Sequence, residues 1–118
     1  MTARKRILVV EDEALVAMLV EDALSDAGFV VLGPAATVKE ALLQLDRETP
    51  DAVVLDLNLA GESSTRVADA LAARGVPYLI ATGYGSGALP PGHEHAPVLA
   101  KPYDPDDLIG VLRGLCAG

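Results

Sequence analysis

The chain has 118 residues, of which 51% are hydrophobic and only 3% aromatic, so we predict one domain with a core built mainly from Val, Leu and Ala. Its formal net charge of −8 argues against binding of nucleic acid, because an acidic surface repels the phosphate backbone. A single cysteine, Cys116, excludes an intrachain disulfide, and the apolar run at residues 7–10 is too short for a signal peptide or a membrane span. We therefore expect a cytoplasmic protein with a single domain over residues 1–118, no membrane contact and no output domain.

Short apolar runs alternate with helical patterns along the chain. The runs predict five strands, at residues 7–10, 29–32, 52–55, 77–81 and 98–100. Helical patterns predict four helices, at residues 14–27, from 37 to about 47, from about 64 to 74, and from 104 onward. Strands that alternate with helices form a parallel sheet covered by helices on both faces. We therefore predict an α/β fold.

Three of the helices carry clear start or stop signals. Gly28 is placed to end the first helix. Thr37 and Glu40 form a capping box at the start of the second, and Asp104 followed by Pro105 begins the last. The residues that predict the buried face of the first helix are Val16, Leu19, Val20, Ala23 and Ala27.

The segment between the fourth and fifth strands, TGYGSGALPPGHEHAP, interrupts this pattern. Four Gly and three Pro in sixteen residues disfavour a regular helix, so we predict a mobile loop with at most one short turn. His93 and His95 within it resemble a pair of metal ligands, but no third ligand lies nearby in the sequence. We therefore predict no metal site there.

Polar residues follow the predicted strands at the points where they end. Ligands of open α/β sheets bind beyond the carboxyl ends of the strands, so we expect these side chains to converge at one edge. They are Glu11, Asp12, Asp56, Thr82 and Lys101.

This set of side chains suits phosphoryl transfer. Three crowded carboxylates repel each other unless a cation intervenes, and Mg²⁺ (or Mn²⁺) binds oxygen ligands while keeping water that a phosphate can replace. Lys101 adds a fixed positive charge for phosphate oxygens, and Thr82 adds a hydroxyl donor. An aspartate can itself be the nucleophile, which makes Asp56 a candidate for an aspartyl phosphate.

The motifs ILVVEDE, VVLDLNL, LIATG and VLAKPYD, in this order and spacing, resemble the receiver domains of two-component response regulators. The resemblance covers about residues 5–117. It implies a doubly wound, flavodoxin-like fold with a five-stranded parallel sheet in the strand order 2-1-3-4-5. The glycine-rich and proline-rich loop leaves the fourth helix of that fold short or disordered. LIATGYG is similar to a Phe-Ala-Thr-Gly-type motif of an alphaproteobacterial subgroup, although Ile80 replaces its Phe.

The resemblance also implies roles for the residues at the strand ends. Asp56 would accept a phosphoryl group from a sensor histidine kinase, and Thr82 and Lys101 would contact the phosphoryl oxygens. The implied Mg²⁺ ligands are Asp12 and Asp56 directly, Glu11 through water and Asn58 through its backbone carbonyl.

Three further positions are candidate switch residues. Receivers often carry an aromatic residue where this chain has Val98, so the usual switch between a threonine and an aromatic residue is not expected. Tyr84 could take over part of that role. A cis bond before Pro102, common in the family, would aim Lys101. We further hypothesise that phosphate or Mg²⁺ at Asp56 orders the loop over residues 83–97.

The sequence therefore favours a phosphoacceptor that either switches partner binding or drains phosphate from a kinase. Further partners would be a histidine phosphotransfer protein or a separate effector protein. It would be no enzyme beyond catalysing its own phosphorylation and dephosphorylation. Two alternatives share the fold: a phosphate-independent interaction module, and an FMN binder, which the missing hydroxyl-rich loop after the first strand disfavours. A phosphatase of the haloacid-dehalogenase type would need an acid where this chain has Asn58.

Overall fold

The computed structural model describes residues 4–83, 92–101 and 103–117. In chain order the elements are β1 (Arg6–Val10), α1 (Ala14–Asp26), β2 (Val30–Ala35), α2 (Val38–Arg47), β3 (Ala52–Asp56), β4 (Asn58–Leu59), β5 (Glu62–Ser63), α3 (Thr65–Ala73), β6 (Tyr78–Thr82), β7 (Val98–Ala100) and α4 (Pro105–Ala117).

Five of the strands form one parallel sheet, ordered β2-β1-β3-β6-β7. Counted along the chain, these are the predicted strands 2-1-3-4-5, so the predicted α/β fold and strand order are confirmed. The two-residue strands β4 and β5 pair with each other as a separate antiparallel hairpin, which the sequence did not predict beyond a turn. This hairpin lies directly after β3 and thus beside the sheet edge where Asp56 ends that strand.

The core has two parts, one on each face of the sheet. Along β1, Leu8 and Val10 point to the side of α2 and α3, whereas Ile7 and Val9 point to the side of α1 and α4. All four side chains are fully buried, as are those of the central strand β3. Burial on both faces explains why these strands read as continuous apolar runs.

The predicted buried face of α1 is wrong in part. The residues that α1 buries are Ala17, Val20 and Leu24, which recur at helical spacing, whereas Leu19 is 62% exposed. The helix carries apolar side chains around most of its circumference, so periodicity alone could not separate the core face from the surface. Its predicted end is confirmed, because Gly28 follows it with φ of +91°.

Strand β2 runs three residues farther than predicted. The sequence predicts its end before Gly33 and Pro34, but β2 is an edge strand, where the missing N–H of a proline leaves no ladder bond unmade. Gly33 has φ of +88°, and a Cβ there would lie 2.9 Å from the Ala35 nitrogen, so the site requires glycine. The extension matters for the site, because the Ala35 carbonyl accepts the N–H of Glu11 at 2.9 Å and fixes the backbone beyond β1.

The predicted helix starts are confirmed. The Thr37 hydroxyl accepts the N–H of Glu40 at 3.1 Å, although the Glu40 carboxylate reaches back to the N–H of Ala36 rather than to that of Thr37. Asp104 accepts the N–H of Asp106 at 2.7 Å and α4 begins at the next residue, Pro105.

Only part of the predicted loop between β6 and β7 belongs to the described chain. Residues 92–97 form turns and contain no helix. Residues 84–91, which include the switch candidate Tyr84, lie outside the described residues, and so does Pro102 with its predicted cis bond. Within the described chain, every helix is too short or too polar to cross a lipid bilayer.

Candidate functional site: an acid pocket at the sheet edge

Three carboxylates meet at the carboxyl ends of the central strands. Glu11 and Asp12 follow β1, and Asp56 is the last residue of β3. One carboxylate oxygen from each lies within 4.8 Å of the other two. Glu11 and Asp56 are buried whereas Asp12 is exposed, so the cluster has one open side.

Lys101 closes the buried side of this cluster. Its Nζ lies 2.7 Å from Glu11 Oε1 and 3.2 Å from Asp56 Oδ2, and its side chain is only 16% exposed. The lysine directly follows β7, and its N–H donates to the Thr82 carbonyl at 2.8 Å. The pairing of β7 with β6 therefore carries the ammonium group to the acids. We call Glu11, Asp12, Asp56 and Lys101 the acid pocket.

The charges of the acid pocket are not balanced. Burial raises the pKa of Asp56 to about 7, and the neighbouring Glu11 adds to the rise while Lys101 only partly opposes it. Burial would lower the pKa of Lys101, but its bonds to Glu11 and the charge of Asp56 outweigh this and raise it. One ammonium group therefore does not neutralise the pocket, and a second cation would stabilise it.

The open side of the pocket is bounded by the β4–β5 hairpin. Asp12 Oδ2 accepts the N–H of Ala60 at 2.8 Å, and this bond holds the pKa of Asp12 below its usual value despite some desolvation. Ala60 itself has φ of +52°, a left-handed conformation that is uncommon for a residue with a Cβ. Gly61 follows with φ of +86°, and its N–H donates to Asn58 Oδ1 at 3.1 Å. Hydrogen bonds thus hold the hairpin turn both to Asp12 of the acid pocket and to Asn58 of β4.

The donor set of the acid pocket fits a hard divalent cation. All of its acidic donors are carboxylate oxygens, which Mg²⁺ prefers over nitrogen and sulfur. Both oxygens of Glu11 already have partners, since Oε1 accepts from Lys101 and Oε2 accepts the N–H of Glu13 at 3.1 Å. Asp12 uses Oδ2 for the Ala60 N–H and Asp56 uses Oδ2 for Lys101, so the other carboxylate oxygen of each could hold a cation directly.

The structure places the remaining candidates around this pocket. Thr82 is the last residue of β6 and is buried. Asn58 lies two residues beyond Asp56 and is exposed. Val98 begins β7, pairs with Ile80 and packs half-buried against the core on the side of α2 and α3. An aliphatic side chain so packed cannot perform the rotation of an aromatic ring.

A cleft of about 550 Å³ runs from the acid pocket between α1 and α4. At its inner end lie Lys101 and Tyr103, whose hydroxyl is buried with no hydrogen-bond partner among the described residues. Burial and the nearby charge of Glu11 raise the pKa of Tyr103 to about 12. Leu19 of α1 also lines the cleft, and it is one of three large apolar side chains that this helix exposes: Leu15 (69%), Met18 (57%) and Leu19 (62%). We call these three residues the α1 patch.

Sequence reasoning missed a second polar cluster, away from the acid pocket. The imidazole of His93 contacts the hydroxyl of Tyr78 and, on its other side, the carboxylate of Asp69. These residues lie 15 and 24 positions from His93, on β6 and α3. No local pattern links them, and only the folded chain brings them together.

A parallel α/β sheet with an acid pocket of this composition defines a receiver domain. The sequence model of the response regulator receiver domain matches residues 7–113, and the chain belongs to that family. Receiver domains bind Mg²⁺ at an acidic cluster and interact with kinases and effectors in two-component signalling. The resemblance predicted from the sequence motifs is therefore confirmed.

Individual relatives cover this chain almost completely. The solution structure of SdrG from Sphingomonas melonis Fr1 superimposes with a TM-score of 0.85 at 41% sequence identity and covers 98% of both chains. PhyR, the phyllosphere-induced regulator of Methylorubrum extorquens, is 34% identical over 113 residues, which are 90% of this chain and 41% of that protein. The transcriptional regulatory protein PdtaR of Mycobacterium tuberculosis is 28% identical over 92% of this chain and 55% of its own length. The chain thus spans about half the length of these two regulators.

Proposed function

We propose that Asp56 is the phosphoacceptor of this receiver domain. The observation that carries the proposal is the position of Asp56: it is buried at the end of β3, within ligand distance of Glu11 and Asp12, and bonded to Lys101. An oxygen of its ionised carboxylate attacks the phosphorus of the donor. The new P–O bond forms as the P–N bond of a phosphohistidine breaks, and the imidazole leaves with the bonding electron pair.

The other residues of the pocket hold the charges in place. Bound Mg²⁺ would supply positive charge against the three carboxylates and the incoming phosphoryl oxygens, with Asp12 and Asp56 as protein ligands, Glu11 acting through water and the Asn58 carbonyl completing the set. Lys101 exchanges its bond to Asp56 for a phosphoryl oxygen, and the Thr82 hydroxyl donates to another. Asn58 also stands where a phosphatase of related chemistry needs an acid, so the chain would catalyse only its own phosphorylation and dephosphorylation.

The α1 patch supports a protein as the phosphodonor. Three adjacent large apolar side chains on one exposed helix exceed the scattered apolar residues of an ordinary surface, and one of them, Leu19, lines the cleft that leads to Lys101. A sensor histidine kinase, or a histidine phosphotransfer protein, would dock there and bring its phosphohistidine to Asp56. The similarity to SdrG, which has been solved in a BeF3-activated conformation, supports a response of this chain to phosphorylation.

Intact-mass measurement tests the proposal. The full chain is incubated with acetyl phosphate and MgCl₂, beside a sample with EDTA and beside the Asp56→Asn variant. We expect the addition of one phosphoryl group that requires the metal and is absent from the variant. A phosphorylated Asp56→Asn variant would place the acceptor elsewhere. No adduct from either acetyl phosphate or a panel of phosphorylated kinases would favour the phosphate-independent interaction module instead.

A further inference from the structure

Asp69, His93 and Tyr78 form a hydrogen-bonded cluster whose members come from three separate parts of the fold. Asp69 lies on α3, Tyr78 begins β6, and His93 belongs to the turns at residues 92–97 that precede β7. His93 and Tyr78 are each 4% exposed, whereas the carboxylate of Asp69 is at the surface. A buried imidazole with a polar partner on each side is costly to disrupt, because each lost bond leaves a desolvated atom unpaired.

Both ring nitrogens of His93 have a polar partner. His93 Nε2 lies 2.7 Å from Asp69 Oδ1, and because a carboxylate oxygen accepts, the Nε2–H donates to it. His93 Nδ1 contacts the Tyr78 hydroxyl, which can donate to a ring nitrogen or accept from it. Burial and the charge of Asp69 raise the pKa of Tyr78, which keeps this hydroxyl protonated. The hydrogen bonds therefore join Tyr78 through His93 to Asp69.

The segment that His93 anchors leads directly into the strand that carries Lys101. The His93 carbonyl accepts the N–H of Ala96 at 3.1 Å, and the Pro97 carbonyl accepts the N–H of Ile80 at 2.8 Å. Strand β7 begins at the next residue and ends one residue before Lys101. Strand β7 has only three residues and lies at the edge of the sheet, so its own pairing with β6 holds it weakly.

We propose that Asp69, His93 and Tyr78 form a latch that holds residues 92–97 against α3 and β6 and thereby positions β7 with Lys101. Opening of the latch releases the segment and lets the lysine withdraw from the acid pocket without unfolding the rest of the sheet. His93 is in this account a positioning residue, since it contacts neither the phosphoacceptor nor any residue of the acid pocket described above.

Amide hydrogen exchange on the full chain tests the latch without any reference to phosphorylation. The reporters are the amides of Ala96, Ile80 and Lys101, and the Asp51 amide, bonded to the Arg6 carbonyl at 2.8 Å where β1 begins, reports global opening. In Tyr78→Phe, which keeps the ring, and in Asp69→Ala, we expect exchange of the reporters to accelerate about tenfold while Asp51 is unchanged. The proposal is overturned if the reporters do not change, or if Asp51 accelerates equally.

Two matched variants separate the latch from packing. Asp69→Asn keeps an acceptor oxygen for His93 Nε2–H, so we expect wild-type exchange at the reporters. His95→Ala removes a ring that lies 6.2 Å from Tyr78 and 6.3 Å from His93 by ring centroids, and we expect no acceleration at Lys101. Acceleration in Asp69→Asn as strong as in Asp69→Ala would show that the acceptor oxygen at residue 69 does not hold His93, and would contradict the hydrogen bond on which the latch rests.

The consequence for Lys101 rests on the proposed function and has a separate readout. In Tyr78→Phe we expect slower phosphorylation by acetyl phosphate, whereas Asp69→Asn should keep the wild-type rate. If wild type itself takes up no phosphoryl group, the proposed function fails while the exchange data still decide on the latch. If the exchange reporters accelerate but the phosphorylation rate does not fall, the latch stands and its coupling to Lys101 is refuted.

Discussion

The acid pocket and the latch are both clusters of titratable side chains, yet their charges are arranged in opposite ways. The acid pocket sets three carboxylates against one lysine, and Asp56 has a pKa raised to about 7 as a result. In the latch, one carboxylate, one imidazole and one hydroxyl use each other as partners. The pocket therefore weakens the fold and is prepared for a cation and a phosphoryl group, whereas the latch stabilises its part of the fold. Neutralisation of a buried carboxylate in the pocket should therefore stabilise the fold, whereas removal of a partner from the latch should destabilise it.

Removal of the only pocket cation among the described residues should have the largest effect. In Lys101→Ala, Glu11 and Asp56 lose their shared ammonium group, and the phosphoryl oxygens lose a positive partner. We expect phosphorylation by acetyl phosphate in excess Mg²⁺ to slow by about 10²–10³-fold, measured as the rise of the phosphorylated mass with time. Lys39→Ala, which changes an exposed lysine on α2, is the control. Equal rates in both variants would remove Lys101 from the site.

Neutralisation of Asp56 should stabilise the metal-free chain. The pKa of this carboxyl lies at about 7 in the folded chain against 3.8 in the unfolded one, so the folded state binds the proton more tightly. The contribution of Asp56 to the free energy of unfolding is thus most favourable at acidic pH. It falls as the pH rises from about 4 to about 7, and it stays low above that. In EDTA, we expect Asp56→Asn to be more stable by about 1–3 kcal/mol at about pH 8, and by much less at about pH 4.

Urea unfolding of wild type and Asp56→Asn across this pH range checks that expectation. Asp22→Asn, at an exposed position on α1 outside the acid pocket, is the matched control and should show no such pH-dependent gain. A stability difference that is independent of pH would show that the pocket does not penalise the charge of Asp56.

The α1 patch should matter only for protein donors. In Leu19→Asp, the exposed side chain becomes charged. The phosphodonor is a phosphorylated histidine kinase that is active on the wild-type chain. We expect phosphoryl transfer from this kinase to slow about tenfold in the variant. Transfer from acetyl phosphate should not change, because the acid pocket is intact. Leu43→Asp, which alters a leucine on α2 that is 51% exposed, is the control. A parallel loss with both donors would indicate damage to the pocket rather than to a docking surface.

The hairpin beside Asp12 should show the smallest effect. Ala60→Gly relieves the left-handed conformation at φ of +52°, and this gain exceeds the added flexibility of the unfolded chain, so we expect about 0.5 kcal/mol more stability. Ala72→Gly, in the regular helix α3, should instead lose about 0.5–1 kcal/mol. Both changes in the free energy of unfolding are measured by urea unfolding. A loss of stability in Ala60→Gly would mean that the Ala60 methyl group makes a contact that outweighs its strain.

The sheet was predictable because its central strands are buried on both faces. Residues 7–10 and 52–55 read as unbroken apolar runs, and the polar residues after them had to lie at one edge once the strands were parallel. The strand-end rule alone thus named Glu11, Asp12, Asp56, Thr82 and Lys101 before any distance was known. These residues were found from the sequence because each adjoins an element with a strong local pattern.

Other features depend on contacts that local patterns do not encode. Strand β2 continues through Pro34 because it is an edge strand, which follows from the sheet order and not from the residues themselves. The buried face of α1 is decided by its neighbours, since its apolar residues surround the helix. The sequence does not predict the contacts of His93, because its partners Asp69 and Tyr78 are distant from it in the sequence.

The most direct test of the charge imbalance compares the melting temperatures of wild type and Asp56→Asn under two conditions. In EDTA at about pH 8, we predict that Asp56→Asn melts at the higher temperature, since it lacks the penalised charge. With MgCl₂ and beryllofluoride, a phosphoryl mimic that requires the aspartate, wild type should gain stability from the bound ligands and become the more stable of the two. This reversal would confirm that the acid pocket is built to receive a cation and a phosphoryl group at Asp56. An unchanged order, or an equal gain in both proteins, would contradict it.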